Sequence, residues 1–339
     1  MFHILASGRW GLQKLSFSSA LQIAAPGSGS DFRLSCTMRT LGALLSLLLV
    51  AHTEGSGHGW TYPEGPEGEE GAWSNQYPTC AGEQQSPINI QTNEVLENKA
   101  LRPLKLSGYG HQEGEFLLVN NGHSVQLSLP STMQIVRGLS HIFTAVQMHF
   151  HWGGKTGKSH GSEHTVNGAH YDSEMHIVHY NSDQYSSSDE AQGKPNGLAV
   201  LAVFLQAKKG HKNAHFEKII SHLSEIQNVG ENVTLNSIDI KHLLPDNLSK
   251  YYRYNGSLTT PPCSENVTWM ILKETVTISK KQLDELQNSV LNNDHETLQN
   301  NFREVKPLNH RRVEASFPSG KGKESRSKPK ENNKEDKRH

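Results

Sequence analysis

The chain has 339 residues, with 33 Lys and Arg against 34 Asp and Glu and a net charge of −1 when histidine is neutral. So balanced a charge gives no global pull toward nucleic acid. With 34% hydrophobic and 20% charged residues the chain can bury a core, and the length admits either two domains or one large β domain with dispensable ends.

Residues 1–37 hold Arg9, Lys14, several serines and no acidic residue as far as Ser30. They read either as a mitochondrial presequence or as an extension upstream of a start at Met38. From Met38 the run "MRTLGALLSLLLVAHTEG" places one arginine before an apolar stretch and small residues after it. That is the layout of a secretory signal peptide over 38–55, too short to remain as a membrane anchor. The expectation is a secreted protein, with a mitochondrial one as the alternative if translation starts at Met1. Cys36 falls in the leader, leaving Cys80 and Cys263. Two cysteines in an exported chain are most simply a disulfide, and two buried thiols are the other reading. Closing so long a loop would stabilise the fold by at most roughly 5 kcal/mol in the chain-entropy description. Sequons stand at Asn232, Asn247, Asn255 and Asn266; sugar is expected most at Asn232 and Asn247, which have polar surroundings.

Residues 56–318 show short apolar stretches separated by Gly, Pro, Asn and Ser: "FLLVNNGHSVQLSL", "TAVQMHFHW", "SEMHIVHYN", "GLAVLAVFLQA" and "NVTWMILKETVTIS". Their length and β-branched content predict strands, with a hairpin turn at "NNG". "HFEKIISHLSEI" and "KKQLDELQNSVL" have helical spacing. The expected fold is a single domain, mainly β with peripheral short helices, built on a large, mostly antiparallel twisted sheet. Residues 319–339 are expected to be a disordered basic tail, since 320–339 contain no aliphatic or aromatic side chain. A basic tail can serve as a polyanion arm or be merely solvated.

In "QMHFHW" the period of two puts His149 and His151 on one strand face and Met148 and Phe150 on the other. With 20 histidines in 339 residues, about one such pair is expected by chance, so the pair alone decides little. "SEMHIVHYN" adds His176, with Glu174 on its face. If the two strands are neighbours, three nitrogens converge and leave a fourth metal position open, the mark of a catalytic zinc. Gln147 and Glu174, each two residues from a histidine, are placed to hold the non-ligating ring nitrogens. Three neutral core histidines are the competing reading. His179 is out of phase with His176 and reads as structural.

"QSPINI" (85–90), "NNGH" (120–123), "QMHFHWG" (147–153), "GSEHTV" (161–166), "EMHIVHYN" (174–181), "GLAVL" (197–201) and "GSLTTPPC" (256–263) occur in the order and approximate spacing of the α-class carbonic anhydrases. Over roughly 58–318 the chain resembles that family, and within it the secreted, salivary-type branch, whose cysteine pair corresponds to Cys80 and Cys263. The resemblance implies the α-carbonic-anhydrase fold, a Zn2+ cofactor and reversible hydration of carbon dioxide to bicarbonate and a proton by a zinc-bound hydroxide. It implies zinc ligands at His149, His151 and His176, supported by Gln147, Glu174 and the backbone near Asn301. It implies Thr259 and Glu163 as the pair that orients the attacking hydroxide, with Thr260 completing the bicarbonate contacts. Val178, Val200, Leu258 and Trp269 match the apolar wall that receives carbon dioxide. His123 matches the proton shuttle, and Tyr62, Asn121 and Gln126 match the residues that order water between shuttle and metal. "SEHTV" looks like the interior of a strand, where a lone carboxylate is expensive. Sulfonamides and anions are the expected inhibitors; nucleic acid and a membrane anchor are not expected, and the oligomeric state is left open. One departure is the basic tail after Pro318, where the salivary-type enzymes continue into an amphipathic helix, which puts contacts made through that segment in doubt. The rival function is a non-catalytic carbonic-anhydrase-like binding protein; such relatives lose a zinc histidine, whereas all three stand here. A zinc esterase would use the same site.

Overall fold

The computed structural model describes residues 59–62, 69–154 and 160–318. The expected leader at 1–37, the expected signal peptide at 38–55 and the expected tail at 319–339 lie outside the described residues.

Among the described residues the strands, in chain order, begin with β1 Asn89–Ile90, β2 Leu96–Glu97, β3 Lys105–Ser107, β4 Gln112–Asn120 and β5 Val125–Ser128. They continue with β6 Gln134–Arg137, β7 Phe143–Trp152, β8 Thr165–Val166, β9 Ser173–Asn181 and β10 Leu198–Lys208. The last are β11 Asn232–Ile238, β12 Tyr251–Gly256, β13 Val267–Leu272, β14 Val276–Ser279 and β15 Glu314–Ala315. One 13-stranded sheet runs β11, β4, β5, β7, β9, β10, β13, β12, β15, β2, with β14 also on β10 and β3 joined through β6 to β7. Within it pairing is antiparallel except β10 with β13 and β14, and β15 with β2; β1 and β8 form a separate parallel pair. The expected fold class, mainly β on a large and mostly antiparallel sheet, is the one observed.

β10 explains why the sheet has two cores. Its sequence LAVLAVFLQAK is almost unbroken in its apolar character and its first eight residues are buried, as a strand covered on both faces requires. Period two then sorts it: Ala199, Leu201, Val203 and Leu205 enter one core with Met148, Phe150 and Trp152 of β7. Leu198, Val200, Ala202 and Phe204 enter the other, with Trp269. Each such Val, Leu or Phe side chain contributes roughly 1.5–3 kcal/mol on burial. Phe216, in the helix Ala214–Ile220, packs edge-on against Phe150 at 5.5 Å between centroids, so this helix covers the β7 face opposite His149 and His151.

Local signals fix the ends of the helices. The helix Lys280–Asn288 starts at a capping box in which Ser279 and Gln282 satisfy each other's backbone N–H groups. "HFEKIISHLSEI", expected as one helix, is instead the helix Ala214–Ile220 followed by a separate 3-10 turn, Leu223–Glu225. Phe216, Ile219, Ile220, Leu223 and Ile226 are all buried across that break. The apolar pattern is thus kept while the helix is not.

Candidate metal centre and active site

β7 and β9 are antiparallel neighbours in a register that places His149 directly opposite His176, after a bulge between Ala145 and Gln147. The bulge sets the phase, and from Gln147 onward the alternation puts Gln147, His149 and His151 on one face. One nitrogen from each of His149, His151 and His176 lies within 4.8 Å of the others. His151 and His176 are 1% exposed, too buried for a solvated surface cluster.

Each imidazole has its other nitrogen held by an acceptor. His149 Nδ1 donates to Gln147 Oε1 at 2.8 Å, His151 Nδ1 to the Asn301 carbonyl at 2.8 Å, and His176 Nε2 to Glu174 Oε1 at 2.7 Å. The ring hydrogens therefore point outward and leave lone pairs on His149 Nε2, His151 Nε2 and His176 Nδ1. Burial pushes all three pKa values down, that of His151 to about 3, and the mutual repulsion of the cluster adds to this for His149 and His151. The rings are therefore neutral at pH 7. His151 Nε2 and His176 Nδ1 stand 3.0 Å apart, close to the edge of about 3.3 Å expected of a tetrahedral zinc site. Two lone pairs facing each other at that distance repel, and a cation between them removes the repulsion. Three neutral nitrogens with fixed outer bonds are a donor set that fits zinc.

Behind the histidines runs a buried relay that the sequence patterns do not disclose. Glu174 takes His176 Nε2 and His164 Nδ1 on one oxygen and the His164 backbone N–H on the other. Burial pushes the Glu174 carboxyl up, but the His164 and His176 rings outweigh it and leave the pKa well below the usual carboxylate range. His164 Nε2 meets the Tyr254 hydroxyl at 2.7 Å, which donates to Ser86 Oγ at 2.7 Å. His164 sits one residue from a residue singled out in the sequence, but its partners are 90 and 10 positions away.

Glu163 is fully buried. It lies just ahead of β8 rather than inside a strand, a correction to the local expectation; the backbone at Gly161 and Ser162 bonds instead to Tyr171 and Asp172. Its Oε1 accepts the Arg303 backbone N–H at 2.9 Å and lies 3.4 Å from His151 Nδ1. Burial, and then the Glu174 charge, raise its pKa well above the ordinary range; the Arg303 N–H and the Thr259 hydroxyl act the other way. A dipositive ion nearby would act in the same direction as those two groups. The Arg303 guanidinium reaches Gln85 Oε1 and the carbonyls of Ser86 and Cys80. This places "QSPINI" in the scaffold behind the site. Arg303 itself carries no local sequence signal.

A cavity of about 220 Å³ opens beside the histidines, lined by Gln147, His149, His176, Thr259 and Thr260 and walled by Val178, Val200, Leu258 and Trp269. Val146, Leu198, Ser188, Asp189 and Gln192 complete the lining, none of them singled out in the sequence. The larger groove of about 720 Å³ lies elsewhere, around Lys306, Arg311 and Arg312, and holds none of these groups. His123 is half-buried and stacks on Trp60, which also meets Tyr62 at 5.2 Å between centroids. Asn121 Oδ1 accepts the backbone N–H groups of His123 and Ser124, and its Nδ2 donates to Gln126 Oε1 at 3.3 Å. Asn301 Nδ2 binds the His123 carbonyl and so ties this loop to β7. His179 is buried on the other face, with its Nε2 against the Tyr109 hydroxyl.

Residues 68–317 match the eukaryotic-type carbonic anhydrase family. The chain belongs to that family. It is 48% identical to carbonic anhydrase 6 of Homo sapiens over 282 residues, which cover 83% of this chain and 91% of that protein. It is 48% identical to carbonic anhydrase 6 of Bos taurus over 275 residues, 81% of this chain and 85% of the other. With carbonic anhydrase 12 of Homo sapiens it shares 42% over 292 residues, 82% of this chain and 81% of that one. Carbonic anhydrases are zinc lyases, and the cofactor is zinc; among the described residues His149, His151 and His176 form a group that could hold it. Cys80 and Cys263 form a disulfide. Among the described residues no helix is long and apolar enough to cross a membrane.

Proposed function

We propose that this chain hydrates carbon dioxide reversibly to bicarbonate and a proton, with zinc held by His149, His151 and His176. The observation that carries this reading is the trio of neutral imidazoles, His151 and His176 buried and His149 half-buried at the cavity. Their outer nitrogens are all engaged and their inner ones converge beside a cavity with one apolar wall. Zinc, when bound, supplies the Lewis acid that makes hydroxide available at neutral pH, as the carbonic anhydrases themselves exemplify. The chain supplies the rest. Gln147, Glu174 and the Asn301 carbonyl fix the tautomer and orientation of the three rings. The Thr259 hydroxyl, with Glu163 behind it, aims the lone pair of the attacking oxygen, and Thr260 contacts the bicarbonate that forms. Carbon dioxide has neither net charge nor dipole, so Val178, Val200, Leu258 and Trp269 hold it by shape and by excluding water. His123 carries the released proton to buffer, through water ordered by Tyr62, Asn121 and Gln126. Sulfonamides and small anions compete at this site.

The domain that does this spans 56–318. We read 38–55 as a signal peptide removed on secretion, and Asn232 and Asn247 as glycosylated. Stopped-flow carbon dioxide hydration by protein starting near Ser56, with zinc content measured alongside and a sulfonamide as inhibitor, tests the activity. Zinc-dependent, sulfonamide-sensitive hydration is expected; zinc-loaded protein without hydration activity would return the chain to a binding role. A mature N-terminus within 2–37 would sink the secretory reading.

A further inference from the structure

On the sheet face opposite the catalytic histidines, a second cluster of metal-ligating side chains has no part in the chemistry above. His215 is the second residue of the helix Ala214–Ile220, and His242 lies in the 3-10 turn Ile240–Leu243, which Asp239 precedes. One ligand atom from each of His215, Asp239 and His242 lies within 4.8 Å of the others. The two imidazoles stack with centroids 4.3 Å apart and planes 11° from parallel. His242 Nδ1 meets Asp239 Oδ2 at 2.8 Å. The remaining atoms are unusual: His215 Nδ1 and Asp239 Oδ1 are both buried and neither has a hydrogen-bond partner. A buried polar atom without a partner ordinarily costs about 1–3 kcal/mol, and here two belong to one cluster.

We propose that His215, Asp239 and His242 form a second divalent-cation site, of the zinc class. A carboxylate oxygen is an acceptor only, and a cation facing it and the His215 ring would satisfy both orphaned atoms at once. Two imidazoles with one carboxylate suit zinc, copper or nickel rather than magnesium or calcium, which prefer oxygen. The side chains play unequal parts. Asp239 is 11% exposed and His242 55%, so the first is held by packing, whereas the second has room to turn if its contacts with Asp239 and His215 give way to the ion. Parallel rings do not converge on one ion, so binding requires His242 to turn out of the stack until its nitrogen stands about 3.3 Å from the other ligand atoms. The ion would pin the helix to the turn without touching the cavity.

The test uses the zinc-loaded protein, dialysed so that only tightly held metal remains, and titrates it calorimetrically with zinc chloride. About one further equivalent should bind. In His215→Gln and in His242→Gln that binding should weaken at least tenfold, while tightly held zinc and carbon dioxide hydration stay at wild-type levels. Added zinc should also raise the melting temperature of the wild type and not of the variants. No further zinc binding by the wild type, or the same binding in both variants, would overturn the proposal. Because the catalytic metal is already bound and hydration is followed separately, failure here is distinct from failure of the carbonic anhydrase reading.

Discussion

The imidazole of His123 lies flat on the Trp60 indole, with ring centroids 3.7 Å apart and planes 10° from parallel. Burial lowers the His123 pKa from 6.5 to about 4, because the covered ring loses the water that would solvate its charged form. Trp60→Ala should uncover the ring and move its pKa back toward 6.5, read by NMR titration of the His123 ring proton. The sign on stability follows from linkage. Between pH 6.5 and 4 the unfolded chain binds the proton and the folded one does not, so stability falls as pH falls through that window. Trp60→Ala should flatten this slope, and a pKa still near 4 in the variant would show that other groups bury the ring.

With its pKa lowered to about 4 the stacked ring is a weak proton acceptor at pH 7, so carrying the proton requires it to leave the Trp60 face. His123→Ala should slow hydration about tenfold or more in dilute buffer and recover when imidazole is added, since the free base replaces the missing carrier. Stopped-flow rates at two buffer concentrations make the comparison. Turnover unchanged at low buffer would remove His123 from the reaction.

Thr259 is 5% exposed and lies between the cavity and Glu163. Its removal should cost orientation rather than metal. Thr259→Ala should lower kcat/KM for carbon dioxide by roughly 100-fold, the size expected for one positioned proton-handling group, with zinc content unchanged. Full activity in the variant would leave Thr259 an ordinary turn residue ahead of Pro261.

The Cys80–Cys263 disulfide joins residues 183 apart in sequence. It also fixes the segment whose Cys80 carbonyl accepts from Arg303, the residue whose backbone holds Glu163. The double variant Cys80→Ser, Cys263→Ser should lose about 2–5 kcal/mol in urea unfolding. Unfolding at the wild-type midpoint would show that the crosslink is not restraining the chain.

How much of this could be read from residues alone depends on sequence distance. The three histidines were legible because period two and a strand pairing are short-range facts: His149 and His176 turn out to be direct cross-strand partners. The double-sided core was legible in the near-continuous apolar run of β10. Arg303, Tyr254 and Ser86 were not, because the bonds that link them into the site span 90 to 217 residues and follow from topology rather than from local pattern. The Trp60 stack on His123 was hidden for the same reason. Glu163 was read as lying inside a strand when it lies just before one, since Ser162 to Thr165 are all buried and the strand Thr165–Val166 starts only two residues on.

The claim on which the account rests is that three imidazole nitrogens of defined identity hold one zinc ion. Anomalous diffraction at the zinc edge from crystals of the zinc-loaded protein tests it most directly. A peak is expected about 2.0–2.1 Å from His149 Nε2, His151 Nε2 and His176 Nδ1. Absence of a peak there, or a metal bound through the nitrogens that now face Gln147, Asn301 and Glu174, would contradict it.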